Sequence, residues 1–150
     1  MDKSAYRLSL ASECGVDHAV DASLEALPDA IAKHFGSDKA DLILECVGAE
    51  ATMTQAVMAA RKGSTIVVVG VFGKKPLVDL GLVQDRELSL VGTLMYRTED
   101  YRDAVALASS GRMALGRLVT DRYKFEDYAE AYRYIDKAGD KAMKVMIALD

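Results

Sequence analysis

The sequence has no tryptophan, two cysteines, two histidines and two prolines in 150 residues. Cys14 and Cys46 lie far apart, so a disulfide framework is not indicated, and a reducing cytosol is the natural setting. Neither they nor His18 and His34 show the spacing of a metal-ligand set. His18 and His34 read as surface or half-buried side chains, and Cys46, at an apolar strand end, as a small core residue. No apolar run approaches the ~18 residues that a membrane span requires. The segment Met1-Asp2-Lys3-Ser4 lacks the apolar core of a secretion signal, and a cytoplasmic chain is expected. Lys and Arg total 19 against 23 Asp and Glu, without a basic cluster, which argues against nucleic acid as a partner. The patterns GxSxG, HExxH, GxGxxG and the P-loop are all missing, so no local motif names a reaction.

What is present is ordinary globular composition, 51% hydrophobic and 28% charged, at a length suited to about one domain. Ser4 is a candidate cap for a helix carrying Leu8, Leu10 and Ala11, with Gly15 as its stop. His18 to Val20 reads as a short strand. Ser23 is a candidate cap for a helix to Phe35, with Leu24, Leu27, Ile31 and Phe35 near one face and Pro28 in its first turn. Gly36 ends it. Asp41 to Cys46 reads as a buried strand, 50–62 as a helix stopped by Gly63, and Thr65 to Val69 as a β-branched inner strand. Glu87 to Leu94 alternates like a strand with one covered face. Thr98 is a candidate cap for a helix to Ser109, helped by Glu99 and Asp100. Gly111 stops it. A short strand at Leu118 to Thr120, a helix from Glu126 to Ala138 and a strand from Lys144 to Leu149 complete the pattern.

Alternating helices and short strands predict βαβ units and a parallel sheet. A composition change near 110–125 marks a candidate boundary. Two strand ends carry glycine, at Val47-Gly48 and at Val69-Gly70-Val71. Ligands in open α/β sheets lie beyond the carboxyl ends of the strands, where glycine allows close approach to the backbone. Turn geometry explains the same glycines, and spacing alone favours it.

Five stretches, in this order, resemble the zinc-type medium-chain dehydrogenases, the subgroup of sorbitol, threonine and butanediol dehydrogenases above all. They are Asp2 to Leu8, Leu44 to Glu50, Ile66 to Val71, Leu90 to Tyr96 and Leu118 to Tyr123. The resemblance implies an α/β fold: an incomplete Rossmann-type parallel sheet without its first two strands, helices on both faces, and a C-terminal helix and strand from the catalytic domain. Residues 1–115 then form part of the NAD-binding domain and 116–150 the end of the catalytic domain. Asp2 matches the acidic residue that takes the adenosine ribose and favours NAD over NADP. Arg7 matches a basic residue reaching the same ribose. Val47 and Gly48 match the loop on the adenine side. Val69, Gly70 and Val71 match the strand end that meets the nicotinamide, and Leu94, Met95 and Tyr96 the segment crossing it. Lys144 resembles a basic position near the cofactor's phosphate. Met95 stands where sorbitol dehydrogenases carry an arginine, which favours a less polar secondary alcohol or a diol.

The family's zinc ligands, proton relay and glycine-rich turn belong to a preceding half that these residues do not include. The resemblance therefore implies no catalytic and no metal-binding residue here, and weak or absent NAD binding by the isolated chain. The strand at 41–46 becomes an apolar edge. The strand at 87–94 is expected to pair across a two-fold axis into a homodimer, and the whole enzyme to oxidise an alcohol or polyol. A non-catalytic nucleotide-binding or dimerisation module is the alternative. An unrelated nucleotide-binding α/β domain is a third reading.

Overall fold

The computed structural model describes residues 1–149. Along the chain run α1 (Ala5–Glu13), α2 (Leu27–Phe35), β1 (Ala40–Glu45), α3 (Glu50–Ala59), β2 (Ala60–Val68), α4 (Leu80–Asp85) and β3 (Ser89–Gly92). There follow α5 (Thr98–Ser109), α6 (Leu115–Leu118), β4 (Val119–Lys124), α7 (Tyr128–Ala138) and β5 (Lys144–Ala148). The chain divides into two units, Ala22–Arg97 and, separately, Met1–Asp21 with the chain from Thr98 onward. Among the described residues no helix is long and apolar enough to cross a membrane.

The Ala22–Arg97 unit is built on a three-stranded parallel sheet in the order β1-β2-β3. Ile43 pairs with Ile66, and Ile66 with Leu90, so these three side chains share a face. On that face Ile66 is fully buried and packs with Met53, Ala56, Val57, Ala60 and Leu88. Leu42, Leu44 and Val91 lie on the opposite face and are exposed. β1 is an edge of this sheet, as the resemblance implies, and is exposed on one face rather than buried throughout as its apolar run predicts; β3 is the other edge.

Several boundaries differ from the sequence expectation. The helix expected over 50–62 ends at Ala59, and β2 starts at Ala60 with no loop between them. Gly63 does not stop the helix. At φ +75° it forms an irregularity inside β2, where the pairing passes from Ala40–Ala60 to Leu42–Thr65. Its N–H donates to the Arg86 carbonyl at 2.7 Å. The Arg86 guanidinium in turn donates to the Val57 and Met58 carbonyls at 3.0 Å each, closing the end of α3. Ser23 is not the cap of α2, which begins at Leu27 after Ala26, with Pro28 in its first turn, and the Leu27 N–H goes to Gln55 Oε1 at 3.1 Å. Leu24 therefore falls outside the helix and is exposed, Phe35 is exposed, and Ala30 supplies the buried contact. A proline-started helix with a donor partner from α3 has no need of a serine cap.

In the other unit, α1 is capped as expected, the Ser4 Oγ accepting from the Arg7 N–H at 3.2 Å. His18 to Val20 is not a strand. A single parallel bridge joins Asp2 to Asp21, with the Asp2 N–H donating to the Val20 carbonyl at 3.2 Å. One bridge offers too few ladder bonds to hold three residues extended as a strand. α5 starts at Thr98 itself, with Glu99 and Asp100 in its first turn. Leu118 closes the short α6, so the strand expected at 118–120 runs instead over Val119–Lys124 and pairs in parallel with β5. Phe125–Asp127 forms a 3-10 turn before α7.

Tyr123 and Tyr134, from β4 and α7, approach at 6.0 Å between ring centroids. The Tyr134 hydroxyl bonds to the Asp121 carboxylate, which would be lost on ionisation, so its pKa is raised above the ordinary 10.0. Partial burial, then the charges of Asp121 and Glu130, raise that of Tyr123.

Two outcomes follow from these arrangements. Ile66→Ala should cost about 2–5 kcal/mol and lower the urea midpoint at unchanged slope, whereas Leu42→Ala should stay within about 0.5 kcal/mol. A near-ultraviolet titration should find the Tyr123 and Tyr134 hydroxyls ionising late, above the ordinary 10.0. Because the folded values are raised, their stabilising contribution is complete below pH 10.0 and falls as pH climbs through them. Tyr134→Phe should remove one of the two late transitions.

Candidate functional site

The carboxyl ends of β1 and β2 meet around one buried carboxylate. Strand alternation turns Glu45 inward with Ile43, and Glu45 is 3% exposed. Its Oε1 accepts from the Val47 N–H at 3.0 Å, the Gly48 N–H at 3.0 Å and the Thr52 hydroxyl at 2.7 Å. Its Oε2 accepts from the Gly48 N–H at 3.1 Å. The Glu45 main-chain carbonyl accepts from Val69 N–H and Gly70 N–H, both at 2.8 Å. One residue thus binds the loop after β1 and the loop after β2. No sequence motif marks Glu45. Its signal is a lone acidic residue closing the apolar run Leu42-Ile43-Leu44. The same alternation corrects the expectation for Cys46, which faces outward and is exposed with a free thiol.

Gly48 and Gly70 answer to this junction. Gly48 has φ +76°, and a Cβ on it would come closer than 3.0 Å to the Val71 backbone. A Cβ on Gly70 would come as close to the Gly48 backbone and to within 2.7 Å of Glu45 Oε2. Chain-on-chain packing therefore accounts for both glycines, in keeping with the structural alternative that spacing favours.

Beside the junction is an open, mainly apolar cleft of about 460 Å³ at the carboxyl ends of β2 and β3. Val68 to Val71 line one side and Gly92, Thr93 and Leu94 the other. The Thr93 N–H donates to the Val68 carbonyl at 3.1 Å, which carries the β2–β3 pairing one step further and brings Leu94 beside the β2 end. The cleft thus gathers Val69, Gly70, Val71 and Leu94 of the residues singled out in the sequence. Val47 is exposed on the adjoining loop, and Met95 and Tyr96 follow Leu94 with exposed side chains.

Asp2, Arg7 and Lys144 belong to the other unit. Asp2 Oδ1 accepts from the Ser4 N–H at 2.9 Å, and its Oδ2 lies 4.0 Å from Arg7 Nη1. Arg7 Nε is buried and has no hydrogen-bond partner among the described residues. Lys144 opens β5 with an exposed side chain. The same unit has a hollow of about 360 Å³ lined by Tyr6, Thr120, Asp121, Tyr134, Asp140 and Lys141. There Asp140 Oδ2 accepts from the Ser4 hydroxyl at 2.9 Å. Among the described residues no group of three or more His, Cys, Asp or Glu side chains is placed to hold a metal ion.

Comparison with known proteins agrees with this architecture. Residues 1–110 match the family described as zinc-binding dehydrogenase. Sorbitol dehydrogenase 1 of Saccharomyces cerevisiae is 36% identical over 121 residues, covering 81% of this chain and 34% of that protein. Sorbitol dehydrogenase of Rattus norvegicus is 33% identical over 155 residues, covering 100% of this chain and 42% of its own length. A candidate zinc-binding dehydrogenase of Sinorhizobium meliloti, solved bound to NADP, superposes with a TM-score of 0.86 at 26% identity, over 98% of this chain and 43% of that one. The chain thus spans 34% and 42% of the length of these two sorbitol dehydrogenases. Parallel α/β architecture, strand-end cleft and sequence similarity agree, and the chain belongs to the zinc-binding dehydrogenase family.

Proposed function

We propose that this chain forms the dinucleotide-binding part of a dehydrogenase that oxidises a secondary alcohol or polyol with NAD. The observation carrying this reading is the open apolar cleft beyond the carboxyl ends of β2 and β3, where open α/β sheets take ligands. Sorbitol dehydrogenases and a D-xylulose reductase among the relatives support it. When bound, NAD supplies the acceptor for hydride. The residues present fit that role. The backbone at Val69, Gly70 and Val71 and the Leu94 side chain offer an apolar surface to the nicotinamide end. Met95 and Tyr96 extend that surface, and Val47 and Gly48 take the adenine side. In the other unit, by the match to the family, the part-exposed Asp2 carboxylate and Arg7 guanidinium are the acceptor and donor for ribose hydroxyls. A carboxylate there repels a 2′-phosphate and favours NAD over NADP. Lys144 offers a cation to the cofactor's phosphate. Met95, in place of an arginine, suits a substrate less polar than sorbitol.

Residues 1–115 then count as the cofactor domain and 116–150 as the end of the catalytic domain. The described residues do not fit a zinc ion. The isolated chain is expected to lack turnover. β3 is exposed along its whole length and stands at a sheet edge, which suits pairing with a second copy. That exposed edge also favours a second reading, an assembly module.

Calorimetric titration of NAD and NADP into the purified chain, with its mass by light scattering, tests both readings. Weak NAD binding ahead of NADP, a preference narrowed by Asp2→Asn, and a dimer are expected. Micromolar NAD affinity would contradict the weak-binding expectation. No binding of either dinucleotide by a folded dimer would favour the assembly module.

A further inference from the structure

The geometry points to Glu45 as the positioning residue that fixes the floor of the strand-end cleft. This rests on the reading of that cleft as the cofactor's. Glu45 is buried, and the donors bonded to its carboxylate, on Val47, Gly48 and Thr52, belong to residues that do not line the cleft, so its influence runs through the backbone. Its two carboxylate oxygens take four hydrogen bonds from three donors, Val47 N–H, Gly48 N–H and the Thr52 hydroxyl. Its main-chain carbonyl takes two more, from Val69 and Gly70. Gly48 and Gly70 then pack backbone against backbone, and Val71 closes over Gly48. A shift of the 47–48 loop would be passed directly to residues 70 and 71, because no side chain stands between them to absorb it.

The chemistry calls for a carboxylate in particular. Val47 N–H, Gly48 N–H and the Thr52 hydroxyl all donate to the carboxylate, so an acceptor-only side chain satisfies all three. Glutamine has almost the same shape but replaces one oxygen with an NH2, a donor that would face the Gly48 N–H. A buried donor left against a donor costs more than a bond never formed. Thr52 provides an independent route to the same point. Its hydroxyl donates to Glu45 Oε1 at 2.7 Å and also contacts the Ala49 carbonyl at 2.9 Å, so it holds the carboxylate from α3.

The test compares backbone amides in the full chain by hydrogen exchange and by nuclear magnetic resonance, with and without millimolar NAD. Glu45→Gln should speed exchange at Val47 and Gly48 by about tenfold or more, and leave Ile66 in the core protected. Thr52→Val should act on the same amides more weakly, and it serves if Glu45→Gln does not fold. NAD-induced shifts at Val69, Gly70 and Val71 should shrink in both variants while those at Asp2 and Arg7 persist. A purely global loss of stability would not produce that split. Unchanged exchange at Val47 and Gly48 in both variants, or equal acceleration at Ile66, would overturn the proposal. If NAD shifts no amide at 69–71 in the unaltered chain, the cofactor reading of the cleft fails, and the exchange comparison alone decides the role of Glu45.

Discussion

A buried carboxyl group bonded to the chain's own N–H and O–H groups holds the carboxyl end of the sheet together. Glu45 lies where two parallel strands stop, and a carboxylate taken out of water must be hydrogen-bonded to be tolerated. Three donors meet it. Satisfying them fixes the loop after β1, and the carbonyl of the same residue fixes the loop after β2. The cleft between β2 and β3 inherits its shape from these constraints. By contrast, the ion pairs Lys33–Glu25 and Arg61–Asp41 lie at the surface, where such pairs contribute little.

The glycines at the strand ends gain a different meaning from this junction. Read singly, each is a place where a ligand could approach. In the fold each is a place where another part of the chain already does. The two meanings are compatible, since a backbone pinned by close packing presents a well-defined surface to whatever lies beyond it. The apolar lining of the cleft and its position beyond the strand ends, rather than the glycines, are what support dinucleotide binding.

Much of the fold was legible because hydrophobic periodicity reports on burial. The central strand around Ile66, α5 from Thr98, α7 and the Ser4 cap lie close to where the pattern places them. The errors share a cause, the override of local signals by tertiary partners. Ser23 has the right chemistry for a cap, but Gln55 satisfies the start of α2 from elsewhere. Gly63 has the right chemistry for a helix stop, yet serves inside a strand. His18 to Val20 has a strand-like composition, but among the described residues the bridging beside it is a single pair, Asp2 and Asp21. Of the candidate site, residues 69–71 and 94 were singled out through the resemblance and line the cleft, whereas Glu45 was not singled out. A single acidic residue at a strand end looks the same in sequence whether it faces solvent or the interior, and only packing against α3 decides it.

The irregularity at Gly63 has a consequence for how this stretch tolerates change in length. Between paired positions, β1 advances from Ala40 to Leu42 while β2 advances from Ala60 to Thr65. The surplus is gathered at a glycine whose N–H is held by the chain at Arg86. Adding or deleting one residue here would either be taken up at that glycine or turn Ile66 and Val68 out of the core, since strand side chains alternate. The spacing of this segment therefore carries structural information separate from its composition: exchanging Arg61 or Lys62 for other polar residues leaves the count intact, while a one-residue insertion beside them changes which face of the sheet is oily.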